Sequence, residues 1–346
     1  MNNSACKTIT LCYIFSMSKK FTSTDIAHCC GCSQTTVSRV FNNHPSVDPR
    51  TREAVLACAR EHGYPIRGKH GKLRIGIVFS QTSDVDAYQA MALNALKRAV
   101  SSHGHQMEII FSEDLEALND HPVSGAIAVS GDMSLNRRWA EATVLPLIRF
   151  GARGCASNGI YSVFSDESTL VERAVRELAA AGHRRIALFL RRSCAKDFSL
   201  AENVTMPFRK AIKRLLPGED GILISYGKEN ASVAERLDSL LEKRITALIV
   251  IPGDTALELC ACIRQRGLKI PDDISVVCRE YDHVLEFFTP PLTAMRPDYE
   301  AMSEAAVSML ENLLGNGFEG IGDIRVPGSF IPRESIGIRT KTRKRS

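Results

Sequence analysis

Short apolar runs alternate with amphipathic stretches through most of this chain. Leu73–Phe79, Gln106–Phe111, Gly125–Ser130, Pro146–Phe150, Arg185–Leu190, Gly221–Ser225, Ala247–Ile251 and Ile274–Cys278 read as strands. Ala87–Ser102, Ser168–Ala181, Ala231–Lys243 and Thr255–Gly267 carry apolar residues every three or four positions and read as helices between them. Strands that are apolar almost throughout, separated by helices, predict parallel sheets covered on both faces. There are too many such units for one comfortable sheet, so two α/β lobes are expected. Phe21 to Gly63 follows another pattern, that of three short helices. Thr22 and Asp25 have capping-box spacing, and Gly31 offers the left-handed residue of a sharp turn. Ser33 caps a second helix over Gln34–Asn42, and Asp48-Pro49 opens a third that turns Val55, Leu56 and Ala59 inward.

Within this first block, Ile26, Ala27, Cys30, Val37 and Val40 are spaced to meet where two helices cross at a tight turn, and Ala27 must be small for the close approach. That is a helix-turn-helix, whose second helix lies in a DNA major groove with its N-terminal residues at base edges. Gln34 and Thr35 come first on that helix, and Arg39 lies on the same face one turn on. Gln pairs bidentately with adenine and Arg with guanine. Ser33, Thr36, Ser38 and Asn42 are short polar residues suited to phosphate contacts, which position without specifying.

Charge supports this reading. Residues 1–72 hold ten Lys/Arg against Asp25, Asp48, Glu53 and Glu61, a balance of +6, and Arg339–Ser346 adds +5. With a total of +5, the remainder is −6, so a basic head sits on an acidic body, as expected where the head meets a polyanion. The hydrophobic share of 44% and charged share of 24% exclude wholesale disorder. No apolar run approaches the roughly 18 residues of a membrane span. Ile9–Phe15 is apolar but lacks a cleavage site, and the eleven Cys form no regular framework. A cytoplasmic protein with reduced thiols and no membrane partner is expected.

The quoted residues resemble a known family. Thr22-x-x-Asp25-Ile26-Ala27, Gly31-x-Ser33, Thr36-Val37-Ser38-Arg39-Val40-x-Asn42, Thr51-Arg52-x-x-Val55 and Gly63-Tyr64 are similar to the head of the LacI/GalR regulators. The resemblance continues through Gly182–Ala187, Gly267–Val277 and Pro327–Ser335, and spans nearly all of Phe21 to Ile338. It implies an α/β protein: a small all-α helix-turn-helix domain (21–64), then a two-lobed, periplasmic-binding-protein-like body with parallel sheets (73–338). Lobe one is expected over 73–161 and 290–325, and lobe two over 162–289 and 326–338. Residues 1–20 are expected to be a disordered leader, 65–72 a short basic linker and 339–346 a basic tail. Met17 matches the family's usual start.

The resemblance further implies a small effector, a sugar being expected, bound between the lobes beyond the carboxyl ends of the strands. Ser80, Gln81, Asp132, Asp254, Arg279 and Glu280 fall at such ends. Asp254 matches the family's ligand-binding Asp, and Glu280 stands where Asp is common. Gln81 and Arg279 complete the expected effector set, and Trp139 or Tyr281 is a candidate stacking partner. Two departures stand out. Val204 and Pro207-Phe208 replace the family's Arg and Gly-aromatic pair. Pro65–Arg74, with Gly68 and Gly71, also lacks the Ala-Arg-x-Leu of the family's hinge helix, so that helix is not expected.

The other constellations say less. His28, Cys29, Cys30, Cys32 and Cys58 read as apolar filling rather than a zinc site, so neither metal nor cofactor is expected. Arg149, a charge inside a strand, reads as either a cleft-edge group or a solvated strand end. Catalytic motifs such as Gly-x-Ser-x-Gly, His-Glu-x-x-His and Walker-type loops are missing, which argues against an enzyme. The expected function is a transcription regulator, read as a repressor, that works as a homodimer on a two-fold operator in double-stranded DNA under effector control. The alternative is a stand-alone carbohydrate-binding protein.

Overall fold

The computed structural model describes residues 21–42, 44–62, 64, 72–80, 87–119, 123–129, 132, 134–151, 160–190, 201–218, 222–224, 231–251, 255–279, 283–316 and 322–339. The chain divides into two compact units, Met1–Tyr64 and Pro65–Ser346. The leader, the linker 65–71 and the tail beyond Arg339 lie outside the described residues.

In the first unit α1 spans Ser23–Cys29, α2 Gln34–Phe41 and α3 Pro49–Glu61. Thr22 and Asp25 form a complete capping box: Asp25 N–H donates to Thr22 Oγ1, and Thr22 N–H returns to Asp25 Oδ2 at 2.7 Å. Asp48 accepts from Thr51 N–H at 3.0 Å and so caps α3. Ile26, Val37, Val40, Val55, Leu56 and Ala59 are buried at the crossing of the helices. Phe21 stacks on His62, and Phe41 on Tyr64, where the unit closes.

The second unit contains two six-stranded sheets. The first is built from β1 (Arg74–Phe79), α4 (Ala87–Ser102), β2 (Gln106–Phe111), β3 (Gly125–Ala128), α5 (Ser134–Ala142), β4 (Leu147–Phe150) and β5 (Ile160–Ser165). The chain crosses through α6 (Glu167–Ala180) into the second sheet. There it runs through β6 (Ile186–Leu190), α7 (Met206–Leu215), β7 (Ile222–Ile224), α8 (Val233–Glu242), β8 (Ala247–Ile251), α9 (Thr255–Gln265), β9 (Ser275–Arg279) and β10 (Thr293–Arg296). Then α10 (Tyr299–Asn316) and β11 (Ile324–Val326) return to the first sheet, and β12 (Ser329–Ile331) ends in the second. The orders are β11-β5-β4-β3-β1-β2 and β12-β10-β9-β8-β6-β7. Every pairing is parallel except β10 with β12.

Strand alternation explains the layers, because successive side chains point to opposite faces. In the first sheet Ile75, Ile77, Ile127 and Ile148 pack with Leu96 of α4 and Leu310 of α10. Val78, Ala126, Ala128 and Leu147 face the other way, onto Leu135 and Trp139 of α5. In the second sheet Leu188 and Ile249 meet α6 and α7, while Phe189 and Val250 meet α8 and α9.

The crossings differ from the expected boundaries. The whole of β5, to Ser165, stays in the first sheet rather than leaving it at 161, and β10 belongs to the second sheet although 290 onward was assigned to lobe one. Two serines mask β5 as a core strand. Ser162 is nevertheless fully buried, its N–H donating to Asp323 Oδ1 at 2.9 Å. β10 is short, and its Thr293 is held by Ser335, whose hydroxyl accepts from Thr293 N–H at 2.8 Å.

Candidate nucleic-acid interface and effector site

The turn between α1 and α2 sets the direction of α2. Gly31 is left-handed at φ +61°. Its N–H donates to His28 O at 3.3 Å, and Cys32 N–H donates to Ala27 O at 2.9 Å, the paired bonds of a Schellman ending. Ser33 Oγ then accepts from Thr36 N–H at 3.1 Å and starts α2. With Val37, Val40 and Phe41 buried, Gln34, Thr35, Ser38 and Arg39 are left on the exposed face.

The expected DNA-facing residues divide by what they already hold. Ser33 and Thr36 cap the helix, their hydroxyls 2.9 Å apart. Asn42 is half-buried and ends the helix, its Nδ2 donating to Ser38 O at 2.8 Å. Gln34 Nε2 donates to Ser23 Oγ at 2.9 Å, which orients the amide at the start of α2, a tie that sequence spacing does not reveal. Arg39 is exposed, and its guanidinium has no hydrogen-bond partner among the described residues.

Burial restrains the thiols of Cys30, Cys32 and Cys58. Cys58 is pushed up to about 12, by burial first and then by the neighbouring Cys29 and Cys30. Burial also raises Cys30, whose Sγ reaches Ala54 O at 3.5 Å. These sulfurs fill space between helices as neutral thiols.

In the second unit, polar groups gather past the carboxyl ends of the first sheet. Ser80 Oγ and Ser112 Oγ donate to Glu113 at 2.5 and 3.0 Å, and Arg138 Nη2 meets Asp132 Oδ2 at 2.6 Å. Burial works to raise Asp132, but hydrogen bonds from Ser134 and Arg138 outweigh it and hold the carboxyl below its usual range. Arg149 is not a solvated strand end. It is fully buried, donating to Asp132 O at 2.8 Å and Asn136 Oδ1 at 3.2 Å, because β4 is an inner strand whose charge needs fixed acceptors. Trp139, expected as a stacking partner for an effector, is instead a core residue at 1% exposure. Its Nε1 donates to Leu145 O at 2.8 Å.

At the end of β9, Arg279 Nη2 lies 2.6 Å from Glu167 Oε1. Burial raises the Glu167 carboxyl, and Arg279 opposes that rise. Glu167 was missed by sequence reasoning. Its signal was an acidic pair, Asp166-Glu167, opening an amphipathic helix directly after an apolar strand. Val204 and Phe208, which replace the family's Arg and Gly-aromatic positions, are both fully buried in the second-sheet core. Gln81, Asp254, Glu280 and Tyr281 lie outside the described residues.

Known proteins resemble both units. Residues 22–65 match the model of the lacI family of bacterial regulatory proteins, and residues 175–336 match a periplasmic binding protein-like domain. An uncharacterized HTH-type transcriptional regulator in the aml 5′ region of Streptomyces limosus is 30% identical over 314 residues, covering 83% of this chain and 86% of its own length. The chain belongs to the lacI family of bacterial regulatory proteins.

This lacI-family protein is therefore a helix-turn-helix, DNA-binding transcription regulator and not an enzyme. The HTH-type regulator MalR of Streptomyces coelicolor is 28% identical, over 92% of this chain and 95% of its own. A lac repressor dimer bound to operator and an anti-inducer shares the fold at a TM-score of 0.65 and 23% identity, covering 92% of this chain and 100% of that one. A CelR–cellobiose complex aligns at 0.64, with 23% identity over 91% and 99% of the two chains. No helix among the described residues is long and apolar enough to cross a membrane.

Proposed function

We propose that this lacI-family regulator is a cytoplasmic homodimeric repressor. It reads a two-fold operator with α2 and answers to a small effector, a sugar being the best-supported class, held between the two sheets of the body. The exposed polar face of α2 carries the DNA part of this reading. Gln34, Thr35 and Arg39 stand over a buried apolar seam, fixed by caps at both ends. Arg39 and Gln34 read base edges, while Ser33, Thr36, Ser38 and Asn42 hold the phosphates. A single helix-turn-helix touches few base pairs, so two heads on paired half-sites supply the affinity.

Topology supports the effector part. In each sheet the strand order reverses once, between β1 and β3 and between β6 and β8, and ligands of open parallel sheets bind outside the carboxyl ends near such a reversal. Gln81 follows β1 by two residues, and Asp254 follows β8 by three. With Arg279, the last residue of β9, and Glu280 directly after it, they form the proposed effector set. Relatives point the same way: one fold neighbour holds cellobiose and another ribose. Binding of the full-length protein to its own upstream DNA, followed by fluorescence anisotropy with and without a panel of sugars, tests both parts. Sequence-specific binding that a sugar shifts is expected. Equal affinity for random DNA refutes the operator reading, and indifference to every sugar refutes the effector class.

A further inference from the structure

Between α4 and β2, His103 and His105, together with Glu311, bring one ligand atom each to within 4.8 Å of one another. His103 and His105 flank Gly104, whose φ of +71° ends α4 and turns the chain back toward β2. Glu311 comes from α10, more than 200 residues later in sequence. His103 Nδ1 and His105 Nε2 lie 3.1 and 2.7 Å from the two oxygens of Glu311. Zinc bonds nitrogen and oxygen at about 2.0–2.2 Å, so tetrahedral ligands stand roughly 3.3 Å apart. Each imidazole nitrogen thus already stands near that spacing from one oxygen of Glu311, with the three ligand atoms within 4.8 Å of one another. On its other side His103 Nε2 faces Glu304 Oε2 at 2.9 Å, the carboxylate–histidine arrangement that fixes the tautomer of a metal-bound imidazole.

We propose that these residues form a zinc site in the first lobe, with His103, His105 and Glu311 as ligands, water in the fourth position and Glu304 as a positioning residue. Two imidazoles and a carboxylate are the donor set of a borderline cation and not of calcium or magnesium, which take oxygen. Side-chain exposures of 24%, 10% and 36% leave the site half-shielded yet open to an entering ion. Binding displaces the protons that now lie between the rings and Glu311, so affinity rises with pH. Leu73 N–H donates to His105 Nδ1 at 3.3 Å, so the ring proton sits on Nε2; coordination at Nε2 moves that proton to Nδ1 and gives up this long hydrogen bond. The ion staples α10 to the α4–β2 turn.

Titrating the metal-stripped, reduced full-length protein with zinc by calorimetry, and with cobalt by absorption spectroscopy, tests the proposal. One site is expected, showing cobalt d–d bands without thiolate charge transfer, abolished in Glu311→Gln and weakened about tenfold in Glu304→Gln. Thiolate charge-transfer bands, or a site that survives Glu311→Gln, would place the ion at the cysteines and overturn it. No binding also overturns it. Diethyl pyrocarbonate labelling of the wild type needs no variant: zinc should shield His103 and His105, and undiminished labelling refutes the site.

Discussion

Replacing Gly31 by alanine isolates the backbone cost of the helix-turn-helix turn. The residue is left-handed at φ +61°, and no atom lies within 4 Å of where a Cβ would stand, so the substitution creates no collision. The remaining cost is the strain of an L-residue in this region, about 1–2 kcal/mol. Relaxing φ would break the bonds from Gly31 N–H to His28 O and from Cys32 N–H to Ala27 O, so the turn has no inexpensive way out. Asparagine tolerates the left-handed region better, and Gly31→Asn should cost clearly less. Hydrogen exchange of peptides covering residues 22–42 in the full-length protein reads this directly. Exchange in α1 and α2 should speed up about 5–30-fold in Gly31→Ala, and less in Gly31→Asn. Operator affinity should fall by a smaller factor, because it scales with the folded fraction of heads and that fraction stays near one. Equal acceleration by Ala and Asn, or none by Ala, would show that the turn does not depend on the left-handed residue.

Four further outcomes are expected. In Gly182→Ala, at φ +90°, a Cβ would run into the Arg339 carbonyl, so overpacking of about 1–3 kcal/mol joins the strain and the thermal midpoint of the body should drop; an unchanged midpoint contradicts that packing. Arg39→Ala should cost about 1–3 kcal/mol on the operator and relax one base position, whereas replacing Lys19 or Lys20 should weaken all DNA alike, and equal loss of specific and random binding in Arg39→Ala removes its base-reading role. Burial lowers His183, with Gly337 O opposing and Arg339 adding to the shift. The unfolded chain therefore takes up the proton first, so stability should be full above about pH 6.5 and fall as pH drops toward the lowered folded value, with His183→Gln flattening that slope in thermal melts; a slope that persists in His183→Gln assigns the effect elsewhere. Because residues 65–72 carry no leucine, the operator should remain nearly straight in circular-permutation gels, and a large bend at its dyad would contradict this.

The helix-turn-helix was legible residue by residue, because its determinants are local: a cap, a glycine and a seam of small apolar side chains. The strands of the body were legible where they are continuously apolar. Those that were missed, Ile160–Ser165, Thr293–Arg296, Ile324–Val326 and Ser329–Ile331, are short or interrupted by serine, threonine and arginine. Backbone groups in two of them are met by residues far along the chain, Ser162 by Asp323 and Thr293 by Ser335, which no local window contains. Trp139 was misplaced for a related reason. An aromatic on a polar helix suggests a ligand, whereas its burial is set by Leu118, Leu145 and Leu147 arriving from other elements. The cluster of His103, His105 and Glu311 was likewise invisible, since a His-Gly-His triplet has no meaning until α10 lies beside it.

The last strands to be made complete both sheets, and this shapes how the protein can be born. β11 pairs Ile324 with Val163, and β12 pairs Ile331 with Ala294. A chain emerging from the ribosome therefore carries β5 as an unsatisfied edge while every strand of the second sheet except β12 is synthesised. Such edges are templates for intermolecular pairing. A nonsense codon shortly before Ile324 would remove an outer strand from each lobe at once, although less than a tenth of the sequence would be missing. Late truncations should therefore yield aggregates rather than a protein with one working lobe, and the nascent chain should lean on chaperones until its final thirty or so residues are released.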